Sequence, residues 1–269
     1  MPTEKRNIQG TTYTIFHNNT LKTAPSFLAL HGFTGRGGDW ADLAQRLGNS
    51  VHFVAPDLPG HGNTDAPTNP QHYSMPYIAS HILQMVDTPC HLLGYSMGGR
   101  LALYLATHYP DKFISVILES ASPGLADADA RHERKTNDDA LAEKIISKGV
   151  LWFADYWQDL SLWDSQTIAQ KAYLHERRLL NAALGLANSL RGMGTGVMPS
   201  LWEKLPRLKR PVTLITGEQD EKFTSLNQTM QNQLPSAQHH IVPDAGHTIH
   251  LEQPDAFATL VENHLGHFM

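Results

Sequence analysis

The sequence predicts an α/β protein with a mostly parallel central sheet, flanking helices and a helical insertion near its middle. Three observations support this fold class. Short β-rich runs alternate with helical patterns through the first 124 residues, the alternation stops between about residues 125 and 205, and it then resumes. Alternating strands and helices are typical of a parallel sheet. A chain of 269 residues could also form two ordinary domains, but we expect a single domain with one large core and one inserted element.

The predicted strands differ in their hydrophobic pattern, which indicates where each lies in the sheet. Residues 11–16 alternate in polarity like an edge strand, whereas residues 27–30 and 51–54 are compact apolar runs, typical of strands buried on both faces. Four further runs continue the series, at residues 91–94, 115–118, 212–216 and 238–242. Helical patterns between the strands cover residues 40–47, 77–86, 101–108, 226–234 and 256–265.

Residues 125–205 differ from the rest of the chain. They carry four of the five tryptophans, together with charged residues at helical spacing. We expect this segment to form a helical cap, inserted in a core that consists of residues 1–124 and 206–269. A cap over the carboxyl edge of a parallel sheet covers the crevice where open α/β sheets bind ligands. Substrate is therefore expected beneath the cap.

Composition and charge argue against several classes of protein. With 41% hydrophobic and 17% charged residues, the chain shows no signature of disorder. The formal net charge is −5 and Lys and Arg form no long run, so we expect no nucleic-acid partner. The N-terminal segment leads to no apolar signal region, and no run approaches the ~18 apolar residues that span a bilayer. We therefore expect no membrane partner.

The cysteine and histidine content of the sequence indicates which cofactors and which cellular compartment to expect. The single cysteine, Cys90, permits neither an internal disulfide nor a multi-cysteine metal site, which favours a reducing compartment, the cytoplasm. The 16 histidines are scattered without a His-Glu-x-x-His spacing. We expect neither a metal ion nor another cofactor.

A turn motif follows the predicted strand at residues 91–94. Residues 94–98 read Gly-Tyr-Ser-Met-Gly and a helix-forming run begins at residue 100, so Ser96 stands between a strand and a helix. This context is typical of a nucleophile elbow, a strained turn that projects the serine hydroxyl while flanking glycines leave room for neighbouring backbone. The alternative is an ordinary glycine-rich turn, because the pattern alone also occurs by chance.

Ser96 needs two partners to act as a nucleophile or a base. A serine hydroxyl reacts weakly at neutral pH until an imidazole, oriented by a carboxylate, takes its proton. Asp220 follows the predicted strand at residues 212–216, and His247 follows the one at residues 238–242. The order Ser, Asp, His is that of the α/β-hydrolase fold, which we therefore predict with these three residues as its triad. Competing groups lie nearby, namely Glu218, Glu221, Asp244 and His250.

Two backbone amides are candidates for an oxyanion hole. In this fold one donor follows the nucleophile and the other lies in the loop after an early strand. Met97 follows Ser96, and Phe33 lies in the His-Gly-Phe-Thr-Gly segment after the predicted strand at residues 27–30. Such donors stabilise negative charge that develops on a carbonyl oxygen, although a tight turn after the strand is the alternative. The Asp-Leu-Pro-Gly-His-Gly segment at residues 57–62 is expected to be a rigid loop.

Beyond the triad, several segments resemble one family within this fold. Residues 94–100 read Gly-Tyr-Ser-Met-Gly-Gly-Arg, and residues 119–125 read Glu-Ser-Ala-Ser-Pro-Gly-Leu. Further matching segments are residues 186–196, 201–202, 217–223 and 246–250. Together they resemble the 2-succinyl-6-hydroxy-2,4-cyclohexadiene-1-carboxylate synthases of menaquinone biosynthesis, over nearly the whole chain. Generic esterases share the elbow but not this set.

The resemblance implies a lyase that acts on 2-succinyl-5-enolpyruvyl-6-hydroxy-3-cyclohexene-1-carboxylate. A proton is removed beside the succinyl ketone and pyruvate leaves from the ring, which becomes a diene. An enolate oxygen forms in this reaction, and oxyanion amides suit it as they suit a tetrahedral intermediate. Ser96, deprotonated through His247, would then act as a base and not as an acylated nucleophile.

The implied substrate is a small molecule with three carboxylates, so its pocket needs cations. Arginine suits carboxylates because its planar fork donates two parallel hydrogen bonds. Arg100 lies one helical turn after Ser96 and can therefore face the same cleft. The resemblance implies substrate-binding roles for Tyr95, Arg100, Arg131, Arg134, Trp157 and Arg178. Without it, solvated helix faces would be the better interpretation of the cap arginines.

Two alternative functions remain open from the sequence. The first is a carboxylesterase or carbon-carbon hydrolase that attacks an anionic substrate through Ser96. The second is a non-catalytic binding protein or receptor on the same fold. The complete triad argues against the binding protein, and Arg100 with the arginine-bearing cap favours the lyase over the hydrolase. The oligomeric state has no signal in the sequence.

Overall fold

The computed structural model describes residues 1–18 and 24–268. Its strands are β1 (Thr3–Ile8), β2 (Thr11–His17), β3 (Ser26–Leu30), β4 (His52–Pro56), β5 (Cys90–Tyr95), β6 (Phe113–Glu119), β7 (Val212–Gly217) and β8 (Ala237–Val242). They form one eight-stranded sheet in the order β1-β2-β4-β3-β5-β6-β7-β8. Strands β3 to β8 are parallel, and β2 is antiparallel to both β1 and β4. The predicted α/β class with a mostly parallel sheet is confirmed.

The prediction that residues 11–16 form an edge strand is wrong. β2 pairs with β1 on one side and with β4 on the other, so β1 occupies the edge. Tyr13 and Ile15 of β2 are fully buried. β1 reads Thr-Glu-Lys-Arg-Asn-Ile, and its charges obscure the strand pattern in the sequence. Charged side chains of this kind protect a sheet edge from pairing with other chains.

Helices cover both faces of the sheet. They are α1 (Ala41–Leu47), α2 (Met75–Ile82), α3 (Met97–His108), α4 (Ala128–Gln158), α5 (Ile168–Leu179), α6 (Ala183–Met193), α7 (Glu221–Gln233), α8 (Ile249–Glu252) and α9 (Pro254–Gly266). Alternate residues of β3 contribute to two separate hydrophobic cores, because successive strand side chains point to opposite faces. The core on one face includes residues of α2, α3 and α7, and the other includes residues of α1, α8 and α9.

Helices α4, α5 and α6 follow β6 and precede β7 along the chain, and we call them the cap helices. A third hydrophobic cluster joins α4 to α6 through residues such as Ile145, Phe153 and Leu186. Phe33, in the loop after β3, packs against both this cluster and the sheet core. α4 contains a break at Gly149, whose φ of 83° is not helical.

The cap helices meet the core through a glycine contact. A Cβ atom at Gly185 of α6 would collide with the backbone of Gly60, and a Cβ atom at Gly60 would collide with Gly185. Gly60 lies in the loop after β4 and has a φ of +76°, a conformation that side chains disfavour. This contact therefore brings the two backbones together where bulkier residues would hold them apart.

No helix within the described ranges 1–18 and 24–268 combines the length and apolar character needed to cross a bilayer.

Candidate active site

Ser96 occupies a strained turn between β5 and α3. Its backbone φ is 49°, which few residues other than glycine adopt. Gly94 and Gly98 permit the turn, because a Cβ atom at Gly94 would collide with the backbone of Gly98, and one at Gly98 with the Leu30 carbonyl oxygen. The Ser96 N–H donates to the carbonyl oxygen of Glu119 on β6 at 2.9 Å. The elbow is therefore anchored to the neighbouring strand.

The Ser96 hydroxyl lies in a hydrogen-bonded series with two other side chains. Ser96 Oγ is 3.0 Å from His247 Nε2, and His247 Nδ1 is 2.6 Å from Asp220 Oδ2. The side chains of His247 and Asp220 are both buried. Asp220 also caps α7, since its Oδ1 accepts the Phe223 N–H at 3.2 Å. With His247 Nδ1–H donating to Asp220, Nε2 is left to accept the serine proton.

The groups that compete with this triad in the sequence lie elsewhere in the structure. Glu218, Glu221 and Asp244 are exposed. His250 Nδ1 lies 2.9 and 2.8 Å from the two carboxylate oxygens of Glu119. Burial alone would lower the pKa of His250, but the charge and hydrogen bond of Glu119, together with the charges of Asp39 and Glu252, outweigh burial and raise that pKa. His250 is thus committed to a different carboxylate.

The two predicted oxyanion donors lie in two different segments near the serine, one directly after it in the chain and one after the neighbouring strand β3. Met97 is the first residue of α3, and Phe33 lies in the loop that follows the adjacent strand β3. The Phe33 ring packs edge-on against Trp157 of α4 at 5.3 Å between ring centroids. Their backbone N–H groups remain the predicted donors.

A cleft of about 1160 Å³, which includes its opening to solvent, is lined by neighbours of the triad in the chain and in space, although not by the triad residues themselves. Its lining includes Phe33, Tyr95, Trp163, Arg178 and Thr248. The Tyr95 ring is 5.6 Å from the ring of His247, and its hydroxyl hydrogen-bonds with Thr248 Oγ1 at 3.0 Å. Burial raises the pKa of the Tyr95 phenol well above its usual value, so the group is neutral. Trp163 packs edge-on against His247 at 5.8 Å.

Three arginines line this cleft, namely Arg46, Arg177 and Arg178, and Arg178 is the one beside Trp163. Arg178 is only 3% exposed, and its Nε and Nη1 have no hydrogen-bond partner among the described residues. Its guanidinium lies 5.4 Å from the centre of the Trp163 ring. Burial lowers the pKa of Arg178 to about 10, which leaves it charged at neutral pH. A buried cation with unsatisfied donors is suited to bind an anion.

Arg100 and Arg134 form a second cationic group near the elbow. Arg100 Nη2 donates to the Met193 carbonyl oxygen at 3.0 Å and Nη1 bonds Thr195, so its fork contacts the chain at the end of α6. Burial, and next the charge of Arg134, lower the pKa of Arg100 to about 10. Arg134 Nε donates to Asp138 Oδ1 at 2.8 Å. Asp138 is buried and serves as the counterion of this group.

Arg131 lies one turn before Arg134 on α4 and contacts the main chain near the start of that helix. Its Nη1 donates to the carbonyl oxygens of Leu125 and Ala126 at 2.8 and 2.7 Å. Trp157, in contrast, lies over Phe33, and its indole Nε1 is buried with no hydrogen-bond partner among the described residues. Trp157 therefore has a donor available next to the predicted oxyanion hole.

Comparison with known proteins identifies the family. The model of the alpha/beta hydrolase fold family matches residues 25–254. The 2-succinyl-6-hydroxy-2,4-cyclohexadiene-1-carboxylate synthase of Serratia proteamaculans (strain 568) is 34% identical over 90% of this chain and 93% of its own length. A Bacillus subtilis (strain 168) protein named for the same activity is 42% identical over 88% of this chain and 89% of its own. The chain belongs to this synthase family. MenH from S. aureus matches with a TM-score of 0.88 and 31% identity, over 95% of this chain and 98% of that one.

Sequence reasoning missed several residues that shape this synthase site. Glu119 and Glu252 hold the loop that carries His247, Thr248 of that loop bonds the Tyr95 hydroxyl, and Trp163 covers the histidine from the cap. Glu119 left a signal, because it ends a mostly apolar strand and an acid is rarely buried there without a partner. Trp163 left none, since its contact with His247 depends on how the cap helices pack.

Proposed function

We propose that this chain is a lyase of menaquinone biosynthesis. It eliminates pyruvate from 2-succinyl-5-enolpyruvyl-6-hydroxy-3-cyclohexene-1-carboxylate and forms 2-succinyl-6-hydroxy-2,4-cyclohexadiene-1-carboxylate, the compound for which its relatives are named. The observation that carries this proposal is the position of Arg178, a buried cation with two unsatisfied donors that lies over Trp163, the ring that packs against His247 of the triad. A substrate with three carboxylates supplies the anion that such a group requires.

Proton abstraction is assigned to Ser96. His247 Nε2, held by Asp220, takes the Ser96 proton at the 3.0 Å contact, and the alkoxide removes the proton beside the succinyl ketone. The electron pair released from that C–H bond moves onto the ketone oxygen as an enolate. The N–H groups of Phe33 and Met97 stabilise this oxygen, as they would a tetrahedral intermediate.

Elimination follows when the enolate collapses. The ketone re-forms, a new ring double bond appears, and the bond between the ring carbon and the enolpyruvyl oxygen breaks. The leaving group takes up the proton that His247 holds and becomes pyruvate, which returns His247 to its neutral form, so no water attacks and no acyl-enzyme forms. A serine triad thus serves as a base in this reaction, with the same charge stabilisation that a hydrolase uses.

The substrate's carboxylates bind to the arginines around the triad. Arg178 binds through its free donors, while Arg100 and Arg134 bind at the junction of α3 and the cap. Tyr95, Trp157 and Arg131 complete the proposed set of substrate-binding residues. The reaction requires no metal or other cofactor in this scheme, and the partner is this small molecule alone.

Residues 125–205 act as the cap over a core of residues 1–124 and 206–269. The cap supplies Trp157 and Arg178, and the core supplies the triad and Arg100. The cytoplasm is the proposed location, in keeping with a single cysteine, Cys90, that is buried and free.

The decisive experiment supplies the enolpyruvyl substrate and follows pyruvate release together with the absorbance of the diene. A p-nitrophenyl ester is assayed in parallel with the same enzyme. The proposal expects pyruvate and diene to appear in equal amounts and the ester to be a poor substrate. Rapid ester cleavage without pyruvate release would instead establish the carboxylesterase or carbon-carbon hydrolase alternative.

A further inference from the structure

Glu252 accepts hydrogen bonds from the residues on either side of the catalytic histidine. Its Oε2 accepts the Gly246 N–H at 2.8 Å, and its Oε1 accepts the Thr248 N–H at 2.9 Å. These two amides belong to the residues immediately before and after His247. The Glu252 N–H in turn donates to the Thr248 carbonyl oxygen at 2.9 Å. Glu252 therefore holds, by its main chain and its carboxylate together, the backbone of residues 246–250, which include the first two residues of α8 and which we call the histidine loop.

Glu119 connects the same loop to the serine. It is fully buried, and its Oε1 accepts the His250 N–H at 2.9 Å. Both of its carboxylate oxygens also bind His250 Nδ1. Its carbonyl oxygen accepts the N–H of Ser96. A single residue thus bonds the elbow through its main chain and the histidine loop through its side chain.

The chemistry of these contacts requires carboxylates. The groups that face Glu252 are two N–H donors, and those that face Glu119 are two donors of His250. A glutamine offers only one acceptor oxygen, and its amide would turn an NH₂ group against a second donor. Hydrogen bonds to an ionised acceptor are also shorter and about twice as strong as neutral ones.

We propose that Glu119 and Glu252 are positioning residues that set the distance between His247 and Ser96. Neither touches the reacting atoms, and both act through the backbone of the histidine loop. The inference rests on the triad of the proposed function. Since Ser96 Oγ and His247 Nε2 are 3.0 Å apart, a small displacement of the loop breaks their hydrogen bond. A misplacement of about 1 Å in a catalytic group can cost about a hundredfold in rate.

The test measures the geometry of the triad without the natural substrate. A fluorophosphonate probe labels an activated serine, so its rate of reaction with Ser96 reports the Ser96–His247 contact. We expect E252Q and E119Q each to be labelled at least about tenfold more slowly than wild type, per folded molecule. E252Q should leave KM for the enolpyruvyl substrate within about twofold, because Arg178 is untouched, and should lower kcat as the labelling rate falls.

E262Q is the matched control. Glu262 lies on α9, near Glu252 along the chain, and binds Arg46 at the surface. Its loss removes one carboxylate but no contact to the histidine loop, so labelling should match wild type. Thermal melting and near-ultraviolet circular dichroism give the folded fraction of each variant, and E252D serves as a second variant if E252Q does not fold.

Wild-type labelling rates per folded molecule in E252Q and E119Q would overturn the proposal. A fall in the labelling rate that is fully explained by the unfolded fraction of the variant would also overturn the proposal. Failure of the proposed function looks different: the wild type would be labelled normally but release no pyruvate. The labelling comparison would still decide the role of the two carboxylates.

Discussion

Ser96 and His247 share one proton in the proposed mechanism, and their 3.0 Å contact makes them one proton-transfer unit. We expect S96A and H247A each to lower kcat for pyruvate release by about three orders of magnitude or more, with melting temperatures close to wild type. Because either change disables the whole unit, the double variant should be no slower than the slower single variant. If the two losses added in kcal/mol, the residues would act independently and the triad assignment would fail.

Asp220 orients His247 through the 2.6 Å hydrogen bond and stabilises the imidazolium that forms. D220N should therefore lower kcat by about a hundredfold or more while KM changes little. Glu218, exposed at the end of the same strand, provides the matched control in E218Q. Steady-state kinetics on both variants checks the assignment. Loss of turnover in E218Q with near-normal turnover in D220N would transfer the role to Glu218.

Arg178 distinguishes a lyase with a polyanionic substrate from an esterase. If its free donors bind a substrate carboxylate, R178A leaves that carboxylate unpaired and should cost about 2 to 5 kcal/mol in kcat/KM. R178K keeps the charge but loses the fork, so it should recover part of this loss. The cleavage of a neutral p-nitrophenyl ester should change far less.

R210A is the control for this series, because Arg210 binds Asp111 at the surface. Its kcat/KM should equal that of wild type with either substrate. Equal losses for the natural substrate and the neutral ester in R178A would show that Arg178 supports the fold of the site and does not bind a carboxylate. R100A belongs to the same test, and unchanged pyruvate release in it would contradict the proposed charge pairing.

Individual residues of the site differed in how far the sequence could reveal them. Ser96, Asp220 and His247 each follow a predicted strand, and the parallel sheet brings those strand ends together, so local pattern was sufficient. Arg131 and Arg178 both lie in charged helical stretches, yet one binds backbone carbonyls and the other is buried in the cleft. Only the packing of the cap separates these two cases, and no short segment encodes it.

At the level of secondary structure elements, the contact between α6 and the loop after β4 fixes the cap against the core. Replacing Gly185 with alanine places a Cβ atom against the backbone of Gly60, which cannot move aside as a flexible side chain would. We expect G185A to lower the melting temperature and to raise KM, because the cap that carries Arg178 is displaced. Thermal denaturation and steady-state kinetics measure the two effects.

A second glycine supplies the control for this change. Gly266, near the end of α9, has open space where a Cβ atom would lie. G266A should therefore leave kcat and KM unchanged and should not lower the melting temperature. A G185A variant with wild-type KM and stability would show that the cap is not fixed by this contact.

The sequence obscured three features of the secondary structure, for two different physical reasons. β1 was missed and β2 was misplaced at the edge because the edge strand carries charges where a buried strand carries apolar residues. The break in α4 was also missed, since the sequence around Gly149 keeps a helical pattern on both sides. In contrast, β3, β5 and β6 were found from their apolar runs, because strands buried on both faces leave few polar positions.

Across the whole molecule, buried neutral histidines couple stability to pH. His91 Nδ1 bonds Ser115 Oγ at 2.8 Å, and the same hydroxyl bonds His264 Nε2 at 2.7 Å. His31 Nε2 accepts the Leu58 N–H at 2.9 Å, which requires the neutral ring. Burial is the main cause that lowers the pKa of His31, His91 and His264 to about 4 and that of His61 to about 3.

The free energy of unfolding should therefore fall as the pH decreases below about 6.5, the pKa of histidine in an unfolded chain. Between about pH 6.5 and 4 the unfolded chain binds protons that the folded protein excludes, so each such histidine removes up to about 1.4 kcal/mol per pH unit. Above pH 6.5 this contribution is complete and constant. The contribution of His250 to stability has the opposite sign, because Glu119 raises the pKa of that histidine and the contribution is lost as the pH rises through that value.

Urea unfolding at pH 7.0 and 5.5 measures the difference in unfolding free energy. H91Q should reduce the slope between the two pH values, while H132Q, at an exposed position of α4, should leave it unchanged. Equal unfolding free energies at both pH values in the wild type would contradict the assignment of these histidines as neutral in the folded state.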